Sequence, residues 1–125
     1  MCNMVAEKIL TKLGFQKDED NNLELNKIFK DTVKLNEIHI DIYPTNPLVS
    51  SPMPYMLLSR TIEKKVLVKN NGSRLVLKKS IDGNDTYFMN VLLSEIKECY
   101  YKNSGGFFEY ILNIQNIYYR ITVFN

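Results

Sequence analysis

The sequence predicts an α+β fold in which one antiparallel β-sheet of hairpins carries two amphipathic helices on a single face, in the order α, five or six β, α, β, β. Two observations lead to it. Apolar residues recur at helical spacing near the start of the chain and again over 88–100, whereas Asn71-Gly72 and Gln115-Asn116 sit between stretches that alternate apolar and polar residues. With 125 residues the chain has the size of one domain, able to bury about two-thirds of its unfolded surface, so 1–125 reads as a single α+β domain.

From Cys2 to Leu13 the residues Cys2, Val5, Ala6, Ile9, Leu10 and Leu13 share one arc, opposite Glu7, Lys8, Thr11 and Lys12. Asn3 can cap this first helix, and Gly14 can take the left-handed conformation that closes it. Phe15–Lys17 and Leu23–Phe29 then flank the polar run Asp18 to Asn22 and read as a hairpin with a solvated acidic tip, with Leu23, Leu25 and Phe29 inward. Val33–Tyr43 alternates but changes phase between Leu35 and Ile38, which calls for a bulge or bend near Asn36 and Glu37.

All four prolines fall between Pro44 and Pro54, which excludes a regular helix or a central strand there. Leu48, Val49 and Met53 on this stiff loop have no evident burial partner and form a candidate contact surface. Tyr55–Leu58 reads as a buried strand. Ile62–Val68 and Arg74–Ile81 pair around Asn71-Gly72, with Val68 facing Leu75 and Val66 facing Leu77. On the other side this register sets Lys69 against Arg74, Lys65 against Lys78 and Lys64 against Lys79.

Phe88, Met89, Leu92, Leu93, Ile96, Cys99 and Tyr100 share an arc and predict the second helix, capped by Asn84 or Asp85 and ended by Asn103 to Gly106. A short strand over Thr86–Val91 is the competing reading, because Asp82-Gly83 is itself a hairpin signal. The last hairpin, 107–114 with 117–124, brings Ile114 to Ile117, Leu112 to Tyr119, Tyr110 to Ile121 and Phe108 to Val123.

The formal charge of +2 points to no partner class, so electrostatic argument must come from local clustering. Charged residues interrupt Met1–Phe15 and no apolar run is long enough to span a bilayer, so no membrane role is expected. Cys2 and Cys99 are the only cysteines, and a reduced, cytoplasmic setting is expected. Abundant Asn, Lys, Ile and Tyr with no Trp fit an AT-rich coding genome, such as those of low-GC bacteria and their phages.

His39, the one histidine, shares a strand face with Glu37, Asp41 and Tyr43. A histidine beside carboxylates suits a general base or a metal ligand, and a small hydrolase or metal protein centred on Glu37, His39 and Asp41 is one reading. A metal site normally draws three protein ligands, no second His or paired Cys is present, and the solvated side of a half-buried strand is the simpler account. Cys99 falls on an apolar arc as a small hydrophobe, and Gly105-Gly106 cannot open a helix toward phosphate.

The central hairpin carries more information. Lys64, Lys65, Lys69, Arg74, Lys78 and Lys79 stand against Glu63 alone, and like charges opposed across an antiparallel pair are destabilising. An anionic partner would offset that repulsion. The expected function is therefore a non-enzymatic, macromolecule-binding protein of inhibitor or adaptor type, phage-encoded or carried on a mobile element, which uses the basic hairpin and the proline loop. An acidic protein surface is the expected partner, nucleic acid the alternative, and a second copy the partner for any sheet face left uncovered. No cofactor or metal is expected.

Overall fold

Strand-forming alternation prevails over helical spacing in most of this chain. The computed structural model describes residues 8, 10–18, 23–29, 33–44 and 57–124. They form β1 (Gln16–Lys17), α1 (Leu23–Ile28), β2 (Val33–Tyr43), β3 (Ser59–Asn70), β4 (Arg74–Ile81), β5 (Asn84–Leu92), a 3-10 turn (Leu93–Glu95), β6 (Ile96–Asn103), β7 (Phe107–Ile114) and β8 (Ile117–Phe124). The strands make one antiparallel sheet in the order β1-β6-β7-β8-β2-β3-β4-β5.

The connections force this sheet to curl. β5 is one edge and β6 lies next to the other, six strand spacings or about 29 Å away if the sheet were flat. The link from Leu92 to Ile96 spans at most about 14 Å. The sheet therefore wraps round on itself, and its concave side gathers one core from β2 to β8, including Ile38, Val66, Leu77, Met89, Tyr110, Leu112 and Ile121. Leu25 of α1 and Phe29, just after it, join that core. On the reverse side of β6–β8 a smaller cluster joins Leu10, Phe15, Tyr100 and Ile111, packed against by Tyr118.

This architecture corrects the α+β expectation. Phe88–Tyr100 is not a helix: it is most of β5, the 3-10 turn and the first part of β6, as the competing strand reading of Thr86–Val91 anticipated. Breaks in strand phase imitate helical periodicity here, since the register shifts beside Phe88 and again between Ile96 and Glu98, with the 3-10 turn between them. Cys99 and Tyr100 are consecutive and both buried because the sheet is covered on its two sides at that point.

The expected hairpin over 15–29 is also replaced. Gln16–Lys17 pairs with β6, Leu23–Ile28 is helical, and Asp18 is buried instead of standing at a solvated tip. Of the first helix, residues 2–7 and 9 lie outside the described residues, while 10–12 are helical. The end is a Schellman motif, with Phe15 N–H donating to Leu10 O (2.9 Å), Gly14 N–H donating to Thr11 O (3.0 Å), and Gly14 at φ +93°. Gly14→Ala should therefore cost about 1–2 kcal/mol in urea unfolding, a penalty set by backbone handedness. The added Cβ would meet only the flexible Lys102 side chain, at 3.3 Å.

The terminal hairpin has the expected register, closed by Gln115 and Asn116 in the left-handed region (φ +53° and +63°), as a type I′ turn requires. The phase change in β2 is present too: Leu35 and Ile38 are both buried. Of the expected strand Tyr55–Leu58, Tyr55 and Met56 lie outside the described residues, while Leu57 and Leu58 precede β3 and are in no strand, with Leu58 exposed. Leu48, Val49 and Met53 also lie outside the described residues.

Candidate partner-binding face

The central hairpin closes with a longer loop than a two-residue turn. Asn70 faces Leu75 and Val68 faces Leu77, a slip of two residues from the expected register. Asn71 Oδ1 accepts from the backbone N–H groups of Ser73 (3.0 Å) and Arg74 (2.8 Å), so the asparagine builds the loop with its side chain, not as the first residue of a tight turn. The opposed cations consequently separate: Lys69 faces Val76, and Lys78 faces Leu67.

A slip of two preserves which side of the sheet each residue occupies. Lys69, Arg74 and Lys78 therefore stay on the convex side, opposite in sense to the buried Val68, Leu75 and Leu77. Lys64 and Lys65 join them by another route. Lys65 is left-handed (φ +57°), it and Asn36 drop out of the β2–β3 ladder, and both strands change sides together there. The irregularity leaves Lys64 and Lys65 adjacent and both exposed.

The face so built runs across β2–β5. Lys34, Leu67, Lys78 and Tyr87 form one row, Lys69, Val76 and Asn90 the next, then Arg74 and Leu92. Its carboxylates are already engaged. Asp85 accepts from Lys78 Nζ (3.1 Å), the Ser80 hydroxyl and the Tyr87 hydroxyl, and the Ser80 bond first, then Lys78, holds its pKa below the usual range. The same Asp85 bond pushes Lys78 upward, and its ammonium also lies 5.9 Å from the Tyr87 ring centroid. Glu37 faces Lys64 across the ladder but its Oε2 is 2.9 Å from His39 Nε2. Arg74 donates to an uncharged acceptor, Asn90 Oδ1 (2.8 Å).

Among the described residues Lys64, Lys65 and Lys69 make no ion pair. Lys79 departs from the expected set, because it lies on the side of Leu75 and Leu77 and pairs with Glu63 (3.2 Å). Lys34, Leu67 and Val76 were missed, since the sequence does not reveal that β2 lies beside β3 or which apolar residues face outward between the cations.

Glu37, His39 and Asp41 share a face as expected but do not form one constellation. A carboxylate only accepts, so His39 Nε2 carries the proton donated to Glu37. Asp41 is taken by Arg60 Nε at 2.9 Å and lies opposite Arg120 on its other side. The His39 ring packs 4.8 Å from Phe124. Among the described residues no three His, Cys, Asp or Glu side chains are grouped to hold a metal ion, and no helix is long and apolar enough to cross a membrane.

Cys99 is buried at the core, where loss of solvent pushes its thiol well up and the neighbouring Asp18 charge adds to the shift. The native chain thus holds this proton where the unfolded chain releases it, and stability falls as pH rises above the usual thiol range. Iodoacetamide at pH 8 should leave the native Cys99 peptide unmodified and alkylate it fully in urea, as read by peptide mass mapping.

No protein-family model, curated protein or solved structure matches this chain. Any functional reading therefore rests on the chemistry of its own surfaces.

Proposed function

We propose that this chain is a non-enzymatic binding protein, of inhibitor or adaptor type, that sets the convex β2–β5 face against an acidic protein surface. The observation that supports it is the trio Lys64, Lys65 and Lys69, exposed and without a carboxylate partner among the described residues, while the three acids of the same face, Glu37, Asp41 and Asp85, are engaged by His39, Arg60 and Lys78. Carboxylates on a partner would offset this uncompensated charge and speed encounter. Leu67, Val76 and Leu92 lie between the cations and supply the apolar contact that a protein interface uses at its centre. The row's aromatic residue, Tyr87, is already engaged by Lys78 and Asp85, which favours a protein over a stacked single strand of nucleic acid.

The test is affinity capture of cellular partners by the native chain and by Lys64→Glu/Lys69→Glu, at low and high salt. The reading expects a partner that the variant captures about tenfold or more weakly, with the difference shrinking as salt rises. Equal capture by both chains removes it. Retardation of random duplex DNA by the native chain at low salt, lost in the variant, would give the face to nucleic acid instead.

A further inference from the structure

The edge of the sheet next to this face is open. β5 pairs with β4 on one side, and among the described residues no strand covers the other. Natural sheets guard such an edge with lysine, proline or a very short strand. Asn84–Leu92 has nine residues, no lysine, arginine or proline, and one acid, Asp85, already paired with Lys78. The open stretch ends at Leu92, whose N–H donates to Glu95 Oε1 (3.0 Å), and Gln115 Nε2 donates to the other oxygen of that carboxylate (2.8 Å). Among the described residues the free edge therefore extends from Asn84 to Val91.

A cavity of about 280 Å³ accompanies it, bounded by the five consecutive residues 87–91 on one side and by Ile42 and Tyr119 on the other. Ile42 and Tyr119 belong to β2 and β8, which do not neighbour β5 in the sheet, so the space lies between β5 and strands that it does not pair with. The lining is mainly apolar. Since a cavity of about 150 Å³ accepts a benzene, this one has room for one or two large apolar side chains.

We infer that β5 receives an extended strand of a partner protein, added to the sheet edge, with apolar residues at alternate positions entering the cavity and acidic residues at the positions between. Main-chain hydrogen bonds to the open edge supply affinity, and the cavity supplies selection for side chains on one side of the incoming strand. On the other side, its residues would lie beside Tyr87, Asn90 and Leu92, two strand spacings or about 10 Å from Arg74 and Lys78 on β4. Charge argues against a second copy in this place. Antiparallel pairing of two β5 strands would run two convex faces together, each with Lys34, Arg60, Lys64, Lys65, Lys69, Arg74 and Lys78 against Glu37, Asp41 and Asp85. An acidic strand meets the opposite field.

This inference rests on the acidic-partner reading, and one experiment separates their failures. The probe is a synthetic peptide of about ten residues that alternates glutamate with valine or phenylalanine, a length matched to one strand. Backbone amide exchange of the full chain is followed by NMR as it is added. At about ten times its Kd, the edge-facing amides of β5 should slow by about tenfold, and a peptide of the same composition with the alternation scrambled should leave them unchanged. If the lysine signals of the convex face shift while the β5 amides do not, the edge inference is overturned and the basic face stands. If a peptide with lysine in place of glutamate protects β5 equally well, the acidic reading is overturned, and the choice of an acidic occupant with it. Protection of β5 that grows with protein concentration and dimer mass, without peptide, would overturn the assignment in favour of a second copy.

Discussion

Replacing Phe29 with alanine should lower the unfolding free energy by about 3–5 kcal/mol. The ring is fully buried on the concave side of the curled sheet, tilted 58° against Tyr110 with 5.4 Å between centroids. Asn70 also holds this segment, since its Nδ2 donates to the backbone Phe29 O (2.9 Å) and to Asn26 Oδ1 (2.7 Å), bonds that the substitution leaves in place. A six-residue helix has no stability of its own, so its anchors decide whether it stays. Among the described side chains of this segment only Leu25 would remain fully buried, and the surrounding strands are held by their ladders and cannot close over the vacancy. The measurement is urea unfolding followed by tyrosine fluorescence, suited to a chain without tryptophan. Phe29→Leu should recover much of the loss. A cost below about 1 kcal/mol for the alanine variant would show that α1 does not seat in the core.

That helix shows why part of the fold was hidden in the sequence. Leu25 and Phe29 are four residues apart, a spacing that suits one side of a strand and one side of a helix equally well. Lys27 decides between them: a strand that turns 25 and 29 inward turns 27 inward as well, whereas a helix sends it to solvent, where it is exposed. The terminal hairpin was legible because Gln115-Asn116 fixes the register locally and both strands alternate without interruption. Residues 88–100 misled because two breaks in phase and a 3-10 turn within 13 residues imitate a period near 3.6, whereas the single break in β2 leaves alternation readable on both sides of it. The curl was invisible for the same reason, since it follows from which strand neighbours which, a long-range property.

The basic face was partly legible. Its lysines are conspicuous in the sequence, and the slip of two at Asn71-Gly72 destroyed the opposed pairs without moving Lys69, Arg74 or Lys78 to the other side. Repulsion between directly opposed cations is therefore absent, while Lys64, Lys65 and Lys69 make no ion pair among the described residues. Lys79 was lost from the set because Glu63 lies within reach across the hairpin on the core side. A helix over 88–100 has no strand edge, so the open edge of β5 is not legible from the sequence.

Asp18→Ala should cost about 1.5–3 kcal/mol, through hydrogen bonds to a charged group that buried partners cannot replace. The carboxylate belongs to no hairpin tip: Oδ2 accepts from Leu25 N–H (2.8 Å) and from the Cys99 thiol (3.7 Å), while its own backbone N–H donates to Cys99 O (2.7 Å). Leu25 N–H is one of the first-turn donors of α1 that no helical carbonyl can reach, so Asp18 caps the helix from outside and ties it to β6. Asp18→Asn keeps an acceptor but loses the charge and adds two donors in a buried place, and should fall between wild type and alanine. Cys99 then separates local loss from opening. With Asp18 gone, the charge that helps raise its thiol disappears, but burial, the larger cause, remains, so alkylation at pH 8 should rise only slightly. Labelling of Asp18→Ala as fast as in urea would mean that β6 has opened, and that this carboxylate holds the sheet, not the helix alone.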